Sequence, residues 1–353
     1  MGLVSFLRTQ VLEQWHGLPL PALASDTSLS FQSWHNFNPH SGQWDHSHNS
    51  QTVTADQRDP GDTELHCDSK LVLVTWNIDS ATPAPETRIS AIISHIKSLT
   101  PPVDIIFLQE VSRPALLELL TIPWVRDNWF SSEADTTQWG KQSFASVTLL
   151  SRVRFGYPNY ASNKITLGPV WRVKYASRFE RNALCCDILL PTSSHPLMNQ
   201  GRIRLVNVHL DSLPINPSLR PRQLSTAASF LHATGRGLVA GDFNPVLPED
   251  DGLINTNGLT DAWVELRSGE PGFTWGVDGE QPFPPNRLDR IAITGLRAHD
   301  IRVIPPGSCS VDRNIYEYTI VPPSTDPSPN SKSNPNILFQ WSDHSGVVFS
   351  MTF

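Results

Sequence analysis

The chain has 353 residues, of which 39% are hydrophobic and 17% are charged, and its formal net charge is −7. This composition excludes a coiled coil and a wholly charged disordered chain. No apolar run approaches the roughly 18 residues of a transmembrane helix, and no secretory signal pattern opens the chain, so neither is expected. The cysteines do not form a disulfide framework. Adjacent Cys185 and Cys186 predict buried thiols in a reducing compartment.

The N-terminal segment, residues 1–69, differs in composition from the rest of the chain. It carries Arg8 and Arg58 against eight acidic residues, and polar side chains dominate from residue 24 to residue 68 without a periodic apolar face. Such a segment is predicted to be a flexible arm. Its aromatic residues predict that part of the arm docks on the body formed by residues 70–353. These aromatic residues are Phe31, Trp34, Phe37 and Trp44.

From residue 71 onward, short apolar runs alternate with amphipathic segments, which is typical of a layered α/β (α+β) domain with its sheets inside. Helices are predicted over 86–99, from Pro114, and over 222–232. Residues 305–335 contain seven prolines and are interpreted as a long surface loop within the domain. Strands are predicted over 71–76, 103–109, 144–150, 183–190, 203–210, 237–240, 288–294 and 346–353.

Basic residues are concentrated between residues 152 and 222, where eleven lysines and arginines face only three acidic residues. This local excess could form a phosphate-facing surface. The alternative is a solvated surface of mixed strands, and the sequence leaves both open. The near-neutral body as a whole argues against tight nonspecific binding of duplex DNA, since each phosphate contact needs a cation.

Polar side chains stand where most of the predicted strands end. A single carboxylate after a strand is unremarkable, because turns favour aspartate. Several such endings with amide, imidazole and carboxylate groups are more than turn chemistry predicts. These groups suit a hard cation together with a general base and a charge-stabilising imidazole. The residues are Asn77, Asp79, Gln109, Glu110, His209, Asp211, Asp242, Asn244, Asp289, Asp343 and His344.

The sequence motifs at these strand ends resemble those of a known family. TWNID, LQEV, VNVHLDS, GDFN, RLDRI and SDH occur in this order. The ordered set resembles the endonuclease/exonuclease/phosphatase superfamily, with its DNase-I-like fold, over residues 70–353. FERNALCC, the RQL that follows VNVHLDS, and TDAWVEL leading to FTW are similar to the tyrosyl-DNA phosphodiesterase 2 (TDP2) family. The chain departs from that family at Ser80, where glycine is usual, and at Ser345, where tryptophan is usual. These departures bear on substrate choice more than on chemistry.

The resemblance implies a four-layer α/β/β/α sandwich, in which two mixed β-sheets face each other, helices lie outside and the site lies at the rim where the strands end. It also implies Mg²⁺, with Mn²⁺ as an alternative, held chiefly by Glu110 with Asn77 beside it. Asp79 and Asp343 would be outer or water-mediated ligands. Mg²⁺ prefers octahedral oxygen coordination and keeps several waters, so one or two carboxylates suffice.

The resemblance also implies catalytic roles. Asp242 would activate or orient the attacking water, and Asn244 would hold that water or a phosphate oxygen. His344 would donate to the phosphoryl oxygens as charge develops, with Asp289 fixing its tautomer and charge. His209 would contact the phosphate from the opposite side.

Three further residues are candidates for binding substrate. Arg181 and Arg222 would contact DNA phosphates, and Trp275 would stack on a base, since base stacking on aromatic rings contributes roughly 1–3 kcal/mol per base. For Trp275 the alternative is packing in the core.

The implied activity is Mg²⁺-dependent hydrolysis of 5′-phosphotyrosyl DNA linkages in DNA repair. The partners would be DNA ends with a 5′-linked tyrosine or peptide, with no membrane, and the protein would be an intracellular monomer, nuclear or cytoplasmic. The alternatives within the superfamily are an abasic-site endonuclease, a general nuclease, and a lipid or inositol phosphatase. A binding protein with an inactive site is a further alternative, opposed by the presence of all the polar residues named above.

Overall fold

The computed structural model describes residues 18–46, 70–157, 164–191, 201–312 and 336–353. The remainder of the predicted arm and of the predicted loop lies outside these ranges. The helices in the described ranges are Pro85–Ser98 (α1), Arg113–Leu119 (α2), Pro123–Asn128 (α3), Arg220–Thr234 (α4), Leu253–Thr256 (α5) and Ala262–Leu266 (α6).

The strands run through both halves of the described chain. They are Ser28–Gln32 (β1), His35–Asn38 (β2), Gln43–His46 (β3), Leu71–Asn77 (β4), Ile105–Ser112 (β5), Trp129–Ser131 (β6), Phe144–Ser151 (β7), Phe155–Gly156 (β8), Ile165–Lys174 (β9), Asn182–Leu189 (β10), Arg202–His209 (β11), Gly237–Asp242 (β12), Thr260–Asp261 (β13), Asp289–Thr294 (β14), Arg297–Ile304 (β15), Ser308–Asp312 (β16), Asn336–Gln340 (β17) and Gly346–Thr352 (β18).

These strands form two eight-stranded sheets and one two-stranded sheet. The first sheet has the order β1-β9-β10-β11-β12-β14-β13, with β8 also paired to β9. The second sheet has the order β15-β18-β4-β5-β7-β6-β2-β3, and β16 pairs with β17. Most neighbouring strands are antiparallel, whereas three pairs are parallel: β4 with β5, β8 with β9, and β11 with β12. Each sheet is therefore mixed, as predicted.

The alternation of side chains along the strands builds four layers. Leu71 and Leu73 of β4 point into the core between the sheets, where they join Leu205 of β11. Val74 of the same strand belongs to a second core with α1 and α2, and Val206 belongs to a third core with α4. The order is therefore helix, sheet, sheet, helix. The predicted four-layer DNase-I-like sandwich is confirmed.

Two helices carry the signals that start and stop them. Helix α1 begins at Pro85, which fits the first turn of a helix, and one face of it is apolar because isoleucines recur at 89, 92, 93 and 96. Helix α4 ends at Gly235, whose φ of 69° is the left-handed conformation that closes many helices. Among the described residues, no helix has the length and apolar character to cross a membrane.

Part of the predicted arm belongs to the sheets. Strand β1 pairs with β9, and β2 pairs with β6. Trp34 between them is 4% exposed, packs in the core between the sheets and donates from Nε1 to the carbonyl of Gly168 at 3.0 Å. Residues 28–46 are therefore docked along the edges of both sheets, and a domain boundary at residue 70 stays a prediction.

Candidate active site

Strand ends from both sheets meet at one rim of the sandwich. In the second sheet, parallel β4 and β5 set Asn77 opposite Gln109. In the first sheet, β11, β12 and β14 set His209 and Asp289 on either side of Asp242. Nδ2 of Asn77 donates to Oδ2 of Asp242 at 3.0 Å, and this bond joins the two groups of strand ends.

A buried polar network beneath the rim holds the two sheets together. Nε2 of Gln109 donates to Oδ1 of Asn207 at 2.8 Å, and Nδ2 of Asn207 donates to the carbonyl of Val147 at 3.0 Å. Gln109 also contacts Oγ1 of Thr75 at 3.0 Å. Unpaired polar groups are costly in a core, so these bonds fix how the sheets lie against each other directly below the site.

Glu110 lies where a β-bulge interrupts the pairing of β5 with β7. Its backbone is left-handed, with a φ of 55°, which is uncommon for a non-glycine residue. Oε2 accepts hydrogen bonds from the amide and the hydroxyl of Ser80 at 2.9 and 2.6 Å, and Oε1 lies 3.5 Å from Nδ2 of Asn77. Burial opposes ionisation, but the bonds from Ser80 and the charge of Arg181 lower the pKa of Glu110, which favours the carboxylate.

The two other acidic candidates flank Glu110 in different ways. Oδ1 of Asp79 accepts hydrogen bonds from the amides of Ala81 and Thr82 at 2.9 and 3.2 Å, so this carboxylate stabilises a turn. Burial and the nearby carboxylates of Asp79 and Glu110 raise the pKa of Asp343. Three acidic groups therefore lie close enough to repel one another, and a cation between them would be stabilised.

The donor set fits a hard divalent cation held by few protein ligands. Among the described residues, no group of three or more histidine, cysteine, aspartate or glutamate side chains is arranged to hold a metal ion. Oxygen ligands are nevertheless present in the carboxylates of Glu110 and Asp343. Asn77 lies beside them, with its Nδ2 toward Glu110 and its Oδ1 accepting from the amide of Asp79 at 3.0 Å. Mg²⁺ is commonly bound by one or two carboxylates, with water and substrate phosphate completing its coordination, so this arrangement suits it.

Asp242 is 1% exposed and is held by two donors. Oδ2 accepts from Asn77, and Oδ1 accepts from the amide of Asn244 at 3.0 Å. Asn244 has a left-handed backbone with a φ of 48°, and its Nδ2 donates to the carbonyl of Leu210 at 3.3 Å. Burial raises the pKa of Asp242. A carboxylate whose pKa lies nearer to neutrality is a better proton acceptor.

His344 and Asp289 form a buried ion pair, with Nδ1 of His344 2.8 Å from Oδ2 of Asp289. Burial disfavours the charged imidazole, but the charge and hydrogen bond of Asp289, with Asp242 and Asp343 beyond it, raise the pKa of His344 well above its ordinary value. Because the carboxylate can only accept, Nδ1 is the donor. Nε2, which lies 3.9 Å from Oδ2 of Asp242, is the nitrogen turned toward the site. The raised pKa favours the protonated imidazole, which can donate from Nε2.

The backbone of the SDH segment, residues 342–344, is held by hydrogen bonds from two directions. Trp76, which is fully buried, donates from Nε1 to the carbonyl of His344 at 3.0 Å. The hydroxyl of Ser342 accepts from the amide of His344 at 3.0 Å and donates to the carbonyl of Asn77 at 2.6 Å. Strand β4 and the SDH segment are therefore held together through a tryptophan of the core.

His209 differs in charge from His344. Burial, with the positive charge of Arg181 adding to it, lowers the pKa of His209 to about 3, so this imidazole is neutral. Nε2 lies 3.5 Å from Oδ2 of Asp242 and 3.7 Å from Oε1 of Glu110, and it has no hydrogen-bond partner in the described part of the chain. An unsatisfied buried nitrogen at this point is available to a bound oxygen atom.

Arg181 lies beside this histidine and lines a cavity of about 180 Å³. Its guanidinium stands 4.9 Å from the ring centroid of Phe144, and Nη2 donates to the hydroxyl of Ser212 at 3.0 Å. The ring of Phe144 also stacks on His209. The cavity is lined by Lys141, Gln142, Ser143, Phe144, Ala145, Ser146, Phe179, Glu180, Arg181, Asn182 and His209.

The other two predicted substrate residues differ from each other. Trp275 is half-buried beside the site, and its Nε1 donates to Oδ2 of Asp343 at 3.0 Å. Arg222 is exposed on α4 and pairs with Asp26 of the N-terminal segment at 2.7 Å. The structure therefore brings Trp275 and Arg181 to the site residues, whereas the described contact of Arg222 is with a surface aspartate.

Part of the basic excess between residues 152 and 222, for which the sequence left a phosphate-facing surface and a solvated surface open, is paired with acidic side chains inside the protein. Arg204 is buried in a bidentate pair with Asp187, and Arg220 is buried against Asp250. Arg172 pairs with Glu133. A positive charge that is paired with a carboxylate inside the protein is not available to a phosphate at the surface, so these three of the eleven basic residues do not contribute to a phosphate-facing surface.

Sequence reasoning missed two residues that shape the site. Ser80 was noted only as a departure from the family pattern. It directly follows Asp79 in the loop after β4, and this position was a signal that it lies next to the candidate metal ligands. Phe144 opens β7, whose pairing with β5 sets it at the rim of the second sheet, and the packing of the two sheets then brings it to Arg181 and His209 of the first sheet. That pairing could not be derived from spacing along the chain.

A model of the endonuclease/exonuclease/phosphatase family matches residues 74–344 of this sequence. The chain belongs to this family. Members of the family are hydrolases that act on phosphodiesters and phosphate esters, so the coarse assignment of the chain as such a hydrolase follows.

Solved structures with the same fold include D. rerio TDP2 complexed with a single-strand DNA product, which is 17% identical, with a TM-score of 0.56, over 81% of this chain and 100% of that one. TDP2 from C. elegans is 19% identical, with a TM-score of 0.52, over 80% of this chain and 75% of that one. At these identities the likeness establishes the fold alone. No curated protein sequence matches this chain.

Proposed function

We propose that this protein is a divalent-cation-dependent phosphodiesterase that hydrolyses the bond between a 5′ phosphate of DNA and a tyrosine. The observation that carries the proposal is the cavity beside His209. Its volume of about 180 Å³ is below the roughly 300–1,000 Å³ of a drug-sized pocket, so it suits one aromatic ring. Phe144 and the guanidinium of Arg181 line it, and both offer favourable contacts to an aryl group.

The polar groups around the cavity supply the rest of the reaction. Mg²⁺ would be held by Glu110, with Asn77 and Asp343 near it, and would neutralise charge on the phosphoryl oxygens. Asp242 accepts the proton of the attacking water, because burial raises its pKa. The Nε2 hydrogen of His344 is donated to the phosphoryl group as negative charge builds up, and Asp289 keeps that imidazole protonated.

His209 would contact the phosphoryl group on the side opposite His344. Because it is neutral and its Nε2 has no partner among the described residues, it can donate to a phosphoryl oxygen without adding a second positive charge. The D. rerio TDP2 structure with a single-strand DNA product supports a DNA end as the rest of the substrate.

One observation favours a second candidate, a family phosphodiesterase acting on a substrate other than DNA, including a lipid or inositol phosphate. Arg172, Arg204 and Arg220 are paired with acidic side chains, which leaves fewer cations for a DNA strand. A substrate that needs only the metal, Asp242 and His344 would not require them.

A substrate panel separates the two candidates. Initial rates would be measured with and without Mg²⁺ on a 5′-phosphotyrosyl oligonucleotide, an abasic duplex and sphingomyelin. The proposal predicts the highest kcat/KM on the phosphotyrosyl oligonucleotide, with the rate abolished by excess chelator. A higher kcat/KM on either of the other two substrates would replace the DNA-end proposal with the second candidate or with an abasic-site activity.

A further inference from the structure

Ser80 contacts the candidate metal ligand twice. Its amide and hydroxyl both donate to Oε2 of Glu110, at 2.9 and 2.6 Å. The other oxygen, Oε1, is turned toward Nδ2 of Asn77 at 3.5 Å and toward Nε2 of His209 at 3.7 Å. The two oxygens of this carboxylate therefore have different surroundings: Oε2 is bonded to Ser80, and Oε1 faces the other residues of the candidate site.

The position of Ser80 is fixed by a buried arginine. Arg88 of α1 is 2% exposed, and its guanidinium donates to backbone carbonyls around the turn that contains Ser80 and to one carbonyl of the segment before the SDH residues. Five carbonyl partners hold the backbone of this loop in place and so keep Ser80 beside Glu110. The partners are Ile78, Asp79, Thr82, Pro83 and Trp341.

We propose that Ser80 is a positioning residue that occupies Oε2 of Glu110 and thereby presents the carboxylate to the divalent cation through Oε1 alone. The inference rests on the proposed function, in which Glu110 holds that cation. A carboxylate bound to a metal by one oxygen needs its second oxygen satisfied and its rotation about Cγ–Cδ restrained. Ser80 does both, because it supplies two donors to one oxygen.

The hydroxyl and the amide of Ser80 can be tested separately. Ser80→Ala removes the 2.6 Å bond and retains the amide bond at 2.9 Å, so Glu110 keeps one anchor. Loss of a group that orients a metal ligand commonly costs 10–100-fold in metal affinity, and with one anchor left the lower end, about tenfold, is expected. Ser80→Thr keeps the hydroxyl and should restore the affinity, since Ser80 is only half-buried.

The experiment is calorimetric titration of the full chain with Mn²⁺ and with Mg²⁺, in the absence of any substrate. The variants are Ser80→Ala, Ser80→Thr, Glu110→Gln as the reference without the ligand, and Ser94→Ala as the matched control. Ser94 is exposed on α1, and its hydroxyl donates to the carbonyl of Ser90, away from the site. Thermal melting without metal accompanies each titration, because a general fold defect would lower the melting temperature.

The expected result is a dissociation constant about tenfold higher for Ser80→Ala, with wild-type values for Ser80→Thr and Ser94→Ala and an unchanged melting temperature. Activity of Ser80→Ala should then recover as Mg²⁺ is raised. Wild-type affinity in Ser80→Ala, with Glu110→Gln still unable to bind, would overturn the role of Ser80 and leave the metal assignment intact. Equal affinity in wild type and Glu110→Gln would overturn the metal assignment, and the inference with it.

Discussion

Asp289→Asn is the substitution that tests the imidazole chemistry most sharply. The side chain of Asp289 is fully buried, and Oδ2 lies 2.8 Å from Nδ1 of His344. Its other oxygen, Oδ1, has no hydrogen-bond partner among the described residues. Asparagine keeps nearly the same volume but removes the negative charge. Asparagine also keeps an oxygen that can accept from Nδ1 of His344, so the substitution removes the charge from the only described side-chain bond of Asp289.

The size of the effect follows from this geometry. Loss of a donor aimed at developing negative charge costs about 3–4 kcal/mol in comparable enzymes, so His344→Ala should lower kcat/KM by roughly 10²–10³-fold. The one described side-chain hydrogen bond of Asp289 is to that imidazole, and its charge also raises the pKa of Asp242. If Asp289 acts through His344 rather than through Asp242, Asp289→Asn should cost no more than His344→Ala. In the double variant the loss should equal that of His344→Ala alone, because two residues that act as one unit are not additive.

The assay is kcat/KM on a small chromogenic phosphodiester for the wild type, both single variants and the double variant. A pH profile adds an independent readout. His344 must be protonated to donate, so activity is lost as the pH rises through its pKa. Asp289 raises that pKa, and Asp289→Asn should therefore move the alkaline limb to lower pH. Multiplicative losses in the double variant would show that Asp289 has a separate role and would refute the reasoning.

The remaining predictions concern metal, substrate and stability. Glu110→Gln should lower turnover by at least about 100-fold with the melting temperature unchanged, because it removes the main metal ligand; retained turnover would contradict this. Trp275→Ala should raise KM for a tyrosyl-DNA substrate, because stacking worth roughly 1–3 kcal/mol is lost. Trp275→Phe keeps an aromatic ring and should leave KM unchanged. Arg181→Ala should weaken binding of DNA-linked substrate and reduce its salt dependence, whereas Arg222→Ala should have little effect on either. Trp34→Ala should lower the free energy of unfolding by about 3–5 kcal/mol, measured by urea denaturation, because Trp34 fills the core; a change under about 1 kcal/mol would show that the N-terminal segment is dispensable.

The strands that the sequence predicted are those whose side chains are buried on both faces. Leu71–Asn77 and Ile105–Ser112 each begin with four consecutive apolar residues, because sheets or helices cover each side of them. Ile165–Lys174 was not predicted, since Gly168 and Pro169 interrupt it and both residues weaken a strand pattern. Arg297–Ile304 was also not predicted, because this edge strand mixes charged and apolar residues.

Residues of the candidate site were predictable where they lie in the sequence motifs that resemble the family. Such motifs contain Asn77, Glu110, Asp242 and His344, and the structure brings these residues together at one rim of the sandwich. What the sequence could not provide was the pairing of charges across long separations. Arg204 is buried against Asp187 from a neighbouring strand, so a run of arginines that looks like a surface in sequence is partly core. A linear pattern records the number of charges and not their partners.

The central claim is that water attacks the phosphorus of a 5′-tyrosyl DNA linkage at this site. Its most direct test is hydrolysis of a 5′-phosphotyrosyl oligonucleotide with Mg²⁺ in ¹⁸O-labelled water, with the products analysed by mass spectrometry and Asp242→Asn as the comparison. The wild type should release unlabelled tyrosine and an oligonucleotide whose 5′ phosphate carries one ¹⁸O atom, and Asp242→Asn should do so far more slowly. No release by the wild type, label in the tyrosine, or an undiminished rate in Asp242→Asn would contradict the account.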